Sequence, residues 1–191
     1  MSSRDELWPP RDVPLNFDCR EAFPILGQVL DCPTHQQRAT CWAHATGCAY
    51  LCAAQLQRHC APSDLPEIRR QCDPNRLAPL CGDAETCLGS GCDPAIALEC
   101  LTGKPPTRIG QGLSNLQRVH EICRWIYEKG PVVSASFAVR NDFTGGRRGP
   151  YDTQQRPGPN LGRHALVIIG WKKTPHGEIR GWSRTAGDTL T

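Results

Sequence analysis

Gln36-Gln37-Arg38-Ala39-Thr40-Cys41-Trp42-Ala43-His44-Ala45 is the stretch on which the reading of this chain turns. A turn-like run ends at Thr40, and a long apolar helical pattern begins at Cys41. Thr40 is placed to act as N-cap, its hydroxyl accepting from an orphan N–H of the first turn. Cys41 then stands at the positive end of a helix dipole, where a thiol ionises more easily and becomes a nucleophile. The competing reading of any such Cys is an inert core residue or a half-cystine. Downstream, Trp42, Ala45, Ala49, Cys52 and Leu56 recur at three- and four-residue steps, which predicts one helix over 41–58 with a single apolar stripe. Cys48 and Cys52 lie one turn apart on it, core-facing or disulfide-bonded. His44 is read as structural.

The chain has 191 residues, enough for one medium domain or two small lobes. Its net charge of +3, with both signs interspersed, implies no nucleic-acid or membrane partner. No apolar run is long enough to cross a bilayer, and Met1–Leu7 shows no apolar signal region. Twelve cysteines suggest an oxidised, disulfide-using lineage, which the missing signal region opposes. With Cys41 as a free nucleophile, at least one of the other eleven is also unpaired. The spacings contain no paired C-x-x-C knuckles, so no metal or other cofactor is expected.

Several landmarks follow in order. Residues 1–12, with Pro9-Pro10, read as a loose arm. Ser63 or Asp64 would cap a short helix ending at Cys72, followed by a loop carrying Cys81 and Cys87. Asp93-Pro94 starts a helix to Leu101, and 102–113 is a Gly/Pro linker. Ser114 and Gln117 form a capping box for an amphipathic helix that Gly130 stops. Pro131–Val139 is strand-like. Gly162-Arg163-His164-Ala165-Leu166-Val167-Ile168-Ile169-Gly170-Trp171 reads as a buried strand with a His at its entrance, and alone that His is more often a strand-end polar group.

Cys41-Trp42-Ala43-His44-Ala45 resembles the active-site segment of papain-family cysteine peptidases, and most closely its cathepsin X branch. Val13-Pro14 with Asp18-Cys19-Arg20 resembles the mature start of that family. Ile126–Val132 with Asn141-Asp142-Phe143 resembles cathepsin B and its relatives. His164-Ala165 resembles the catalytic His-Ala pair, in the order Cys then His about 120 residues apart. The resemblance implies an α+β papain-like fold. A helical left lobe would span 13–105 and a strand-rich, incomplete-barrel right lobe 106–191, with the cleft between. It implies a monomeric thiol peptidase acting on peptides or proteins, from a family usually lysosomal or secreted. Cys41 would be the nucleophile and His164 the base.

The departures from the family fall at the same site. Cys32 stands at the position of the oxyanion Gln, and Arg38 replaces the disulfide Cys before the nucleophile. Gln36 and Gln37 are the candidate amide donors, or else solvated loop residues. Cys87-Leu88-Gly89-Ser90 stands where the family has its substrate strip, with Gly89 and Ser90 against the substrate backbone. Counting forward from His164 reaches Arg180-Gly181-Trp182 in place of Asn-Ser-Trp, and Arg cannot accept from an imidazole N–H. Asn141 and Asn160 are the candidate replacements. The chain stops at Thr191, short of the family's last strands, and carries no counterpart of its propeptide. His35, in the loop before the nucleophile, is a candidate ligand for a substrate's C-terminal carboxylate. The alternative is a catalytically impaired or inactive relative that binds peptides. A disulfide-rich binding module would leave the ordered landmarks as coincidence.

Overall fold

The computed structural model describes residues 13–30, 38–57, 61–140, 159–173 and 179–184. Its first strand, β1 (Asn16–Asp18), runs into the short helix α1 (Cys19–Ala22). Asp18 caps α1, accepting from the Arg20 N–H at 2.8 Å and from its guanidinium at 2.6 Å. Burial pushes the Asp18 pKa up, but the Arg20 hydrogen bonds outweigh it and the net movement is down. A 3-10 turn over Pro24–Leu26 leads into α2 (Gly27–Leu30).

The helix predicted from Cys41 is α3 (Cys41–Leu56). It is buried on more than the expected stripe. Besides Trp42, Ala45, Ala49 and Cys52, its Ala43, Thr46, Gly47, Leu51 and Gln55 are enclosed. That makes it the central helix of the core rather than a one-sided surface helix. Gly47 serves this role, since a Cβ there would stand 2.7 Å from the Cys72 Cβ.

α4 (Leu65–Gln71) follows a 3-10 turn over Pro62–Asp64. Asp64 does not cap it; its carboxylate instead accepts from the Ala61 N–H at 2.8 Å. The segment read as a loop around Cys81 and Cys87 is two helices, α5 (Pro74–Cys81) and α6 (Ala84–Gly89). Asp73 and Asp83 start them by accepting from Asn75 N at 2.9 Å and Thr86 N at 2.8 Å. α7 (Pro94–Thr102) begins in the same way at Asp93, as predicted, and ends on left-handed Gly103. Both halves of the Ser114–Gln117 box are present at the head of α8 (Asn115–Lys129).

The sheet is built on one long strand. β3 (Asn160–Lys173) pairs antiparallel with β1, with β2 (Val132–Arg140) and with β4 (Ile179–Arg184). The N-terminal segment is therefore tied to the far end of the chain. Trp171 donates its indole N–H to the Pro14 carbonyl at 3.0 Å, and Phe17 stacks on Trp171 with ring centroids 5.0 Å apart. Trp42, Trp171, Leu26, Leu77, Ile126 and Val167 fill the centre of a core shared by α3 and the sheet.

Gly170 permits the β1–β3 approach. A Cβ there would run into the Phe17 carbonyl oxygen and reach the Asp18 Cα at 3.0 Å, backbone atoms that cannot swing aside. Gly170→Ala is therefore expected to destabilise the fold by about 3 kcal/mol, at the upper end of overpacking. Chemical denaturation should show this as a lowered midpoint.

Candidate active site

The site begins at the head of α3. Thr40 occupies the N-cap position, but its side chain makes no cap; the hydroxyl turns back to the Arg38 carbonyl at 3.5 Å. The capping expected of Thr40 is thus replaced by its backbone, whose carbonyl accepts from Ala43 N at 3.1 Å and His44 N at 3.2 Å. The first N–H groups of the helix are left to whatever lies above Cys41. Trp42 anchors the helix head sideways, its buried indole N–H donating to the Cys87 carbonyl at 3.0 Å.

Cys41 is a free, half-buried thiol. Its Sγ accepts from the backbone N–H of Ala165 at 3.4 Å, across 124 residues of sequence. The start of α3 and the His164-Ala165 step of β3 therefore meet. His164 is half-buried and its Nε2 is enclosed. It sits opposite Phe137 of β2 in the sheet register.

Strand register decides what else can reach His164. Arg180, the residue that counting puts in place of the family Asn, faces Lys172 in the β3–β4 ladder. That is eight residues along β3 from His164, roughly 26 Å at the strand rise. Counting misplaced this position because β3 continues to Lys173 before the chain turns back. Asn160 opens β3 opposite Arg140. It stands four residues before His164 on the same strand. Asn141, Gln36, Gln37 and His35, together with Cys32, lie outside the described residues.

The substrate-strip candidates lie at the end of α6. Gly89 ends α6, exposed, and a Cβ on it would touch nothing within 4 Å. Ser90 is exposed and its N–H closes the helix on the Thr86 carbonyl at 2.8 Å. The glycine that approaches the nucleophile segment is Gly91. It has φ +96°, and a Cβ there would lie 3.6 Å from the Ala39 carbonyl oxygen and 3.9 Å from Trp42 Cδ1. The positive φ of Gly91 is a property of the turn after α6.

Burial perturbs several other titratable groups. Burial pushes the thiols of Cys19, Cys72 and Cys123 up to about 12, so they stay protonated at neutral pH. His44, one turn past Cys41, is lowered by burial, with the Asp73 carboxylate opposing. Among the described residues, no group of three or more His, Cys, Asp and Glu is arranged to hold a metal ion. None of the described helices is long and apolar enough to cross a membrane.

A central helix packed on a β3-centred antiparallel sheet is a papain-like α+β arrangement. Among solved structures the chain is similar to proCathepsin B S9 from Trypanosoma congolense, with a TM-score of 0.56 and 17% sequence identity over 99% of this chain and 72% of that one. No family model and no curated protein sequence matches the chain. The likeness is thus one of fold, carried by the structure rather than by the sequence as a whole.

A His held more neutral in the folded state than in the unfolded chain makes stability depend on pH. The unfolded state binds the extra proton, so the His44 contribution is intact above about pH 6.5 and declines as pH falls below it. The urea midpoint should therefore fall from pH 7 to pH 5, and fall less in His44→Gln.

Proposed function

We propose that the chain is a thiol-dependent peptidase with Cys41 as nucleophile and His164 as general acid–base. The observation that carries this reading is the contact between the Ala165 amide and the Cys41 sulfur, at the head of a helix and one residue from an imidazole. The two-lobe division at about residue 105 belongs to the same proposal, with peptide substrate lying in the groove between them.

In this scheme the Cys41 thiol gives its proton to His164, forming a thiolate–imidazolium pair. The sulfur attacks the substrate carbonyl carbon. The oxyanion is met by the Cys41 N–H, which the Thr40 side chain does not occupy, and by an amide from the preceding loop, Gln36 or Gln37. His164 protonates the departing amine, then takes a proton from water as that water releases the acyl group. Arg180, set opposite Lys172, does not take the role of the family's orienting Asn. Loss of a single oxyanion donor alone lowers rates by roughly 10²–10³, so turnover below that of the family is expected. His35 and Arg38 together would favour substrates with a free C-terminal carboxylate.

Cys41 should be singled out chemically. Substoichiometric iodoacetamide at mildly acidic pH is expected to label Cys41 first, with Cys19, Cys72 and Cys123 held back by their high pKa values. Uniform slow labelling would sink the thiolate–imidazolium pair and favour a peptide-binding relative without turnover.

Hydrolysis of an unblocked peptide should be abolished by Cys41→Ser and by His164→Ala, with the fold retained by circular dichroism. The C-terminally amidated twin of that peptide should be cut more slowly; equal cleavage removes the carboxylate role of His35.

A further inference from the structure

Away from the candidate nucleophile, four thiols gather where α5, α6 and α7 meet. Cys81 ends α5, Cys87 lies in α6, Cys92 follows it and Cys100 sits in α7. The Cys100 thiol donates to the Leu80 carbonyl at 3.1 Å, which places it beside Cys81. Cys92 is turned to the head of α7, its thiol 3.7 Å from the Asp93 carbonyl. Cys87 Sγ lies 4.0 Å from where a Cβ on Gly82 would stand, next to Cys81 in sequence.

The thiols touch in a definite order. The Cys81 thiol hydrogen-bonds with those of Cys100 and Cys92, and Cys92 with that of Cys87. They form a row, Cys100–Cys81–Cys92–Cys87. Burial and these neighbours push the Cys81 thiol up, and burial with Cys87 pushes Cys92 up to about 11. Cys81 and Cys92, the two middle members of the row, are therefore protonated thiols at neutral pH.

Only one way of joining neighbours in this row leaves no thiol over. We propose that Cys81 with Cys100, and Cys87 with Cys92, form two nested disulfides when the protein meets a small-molecule disulfide such as oxidised glutathione. For each bond, one cysteine thiolate attacks the small disulfide, forming a mixed disulfide and releasing one small thiol. Its neighbour then displaces the second small thiol. Two protein thiols are oxidised and one small disulfide is reduced; the two protons leave on the released thiols.

The inner bond has a structural consequence. It closes a ring over Leu88-Gly89-Ser90-Gly91, the segment that sets Gly91 against Ala39 and Trp42. The Cys87 carbonyl in the same ring receives the Trp42 indole N–H. Oxidation thus braces the wall beside the head of α3, and reduction releases it, which makes the row a redox-responsive support for that wall.

Peptide mapping tests the pairing. The full chain carrying C41S, which removes the candidate nucleophile as a source of thiol exchange, is equilibrated with oxidised glutathione. It is then quenched in acid, alkylated and digested without reduction by a protease that cuts before Asp. Cleavage before Asp83 and Asp93 separates Cys81, the Cys87–Cys92 segment and Cys100. The expected result is segment 83–92 unlinked, unalkylated and lighter by one pair of hydrogens, with the Cys81 and Cys100 pieces joined. Segment 83–92 joined to either flanking piece, or alkylation of all four cysteines, overturns the pairing.

Discussion

The N–H of Ala165 and the sulfur of Cys41 lie 3.4 Å apart, and most of the architecture serves to hold them there. One belongs to the start of a helix enclosed on several sides, the other to a strand whose neighbours include the N-terminal segment. Packing of Trp42 and Trp171 into one core fixes the helix against the sheet. The hydrogen bond from Trp42 to Cys87 and that from Trp171 to Pro14 orient the two large rings. A weak acceptor such as sulfur contributes little binding by itself; its location is set by the burial around it.

The parts of the fold that could be read directly were those with local signals. Ser114 and Gln117 carry their own capping chemistry, and the helix after them stops where Gly130 takes a positive φ. The β-branched apolar run after His164 favours a buried strand. By contrast, α5 and α6 are short, and α5 contains Pro79, so neither builds a period to read. Their real signals were Asp73 and Asp83, each one step before a helix start, and these carry the same chemistry that made Asp93-Pro94 legible.

Candidate site residues separated in the same way. Cys41 announced a helix start, but the course of the Thr40 hydroxyl depends on the Arg38 carbonyl and has no sequence signature. His164 and Ala165 were placed by resemblance, and their proximity to Cys41 is a tertiary fact. Counting puts Arg180 at the family Asn, whereas hydrogen-bond register, not residue number, decides what faces what across antiparallel strands, and it sets Arg180 opposite Lys172. Gly89 and Ser90 were chosen by alignment; Gly91 is distinguished by its conformation.

The course of β3 also governs how the molecule can assemble. This strand receives partners from near the start of the chain and from its later part, with Asn16 opposite Lys172 and Val132 opposite Ile168. Contacts of such long sequence separation are slow to form, since the intervening chain must be restrained before they contribute. During synthesis on a ribosome, the segment around Pro14 and Phe17 emerges long before Trp171 exists to receive it. The helices from Cys41 to Thr102 can condense first, while the N-terminal stretch waits as an unzipped flap. Closure then comes late and in one step, as the last third of the polypeptide supplies the strand that β1 joins.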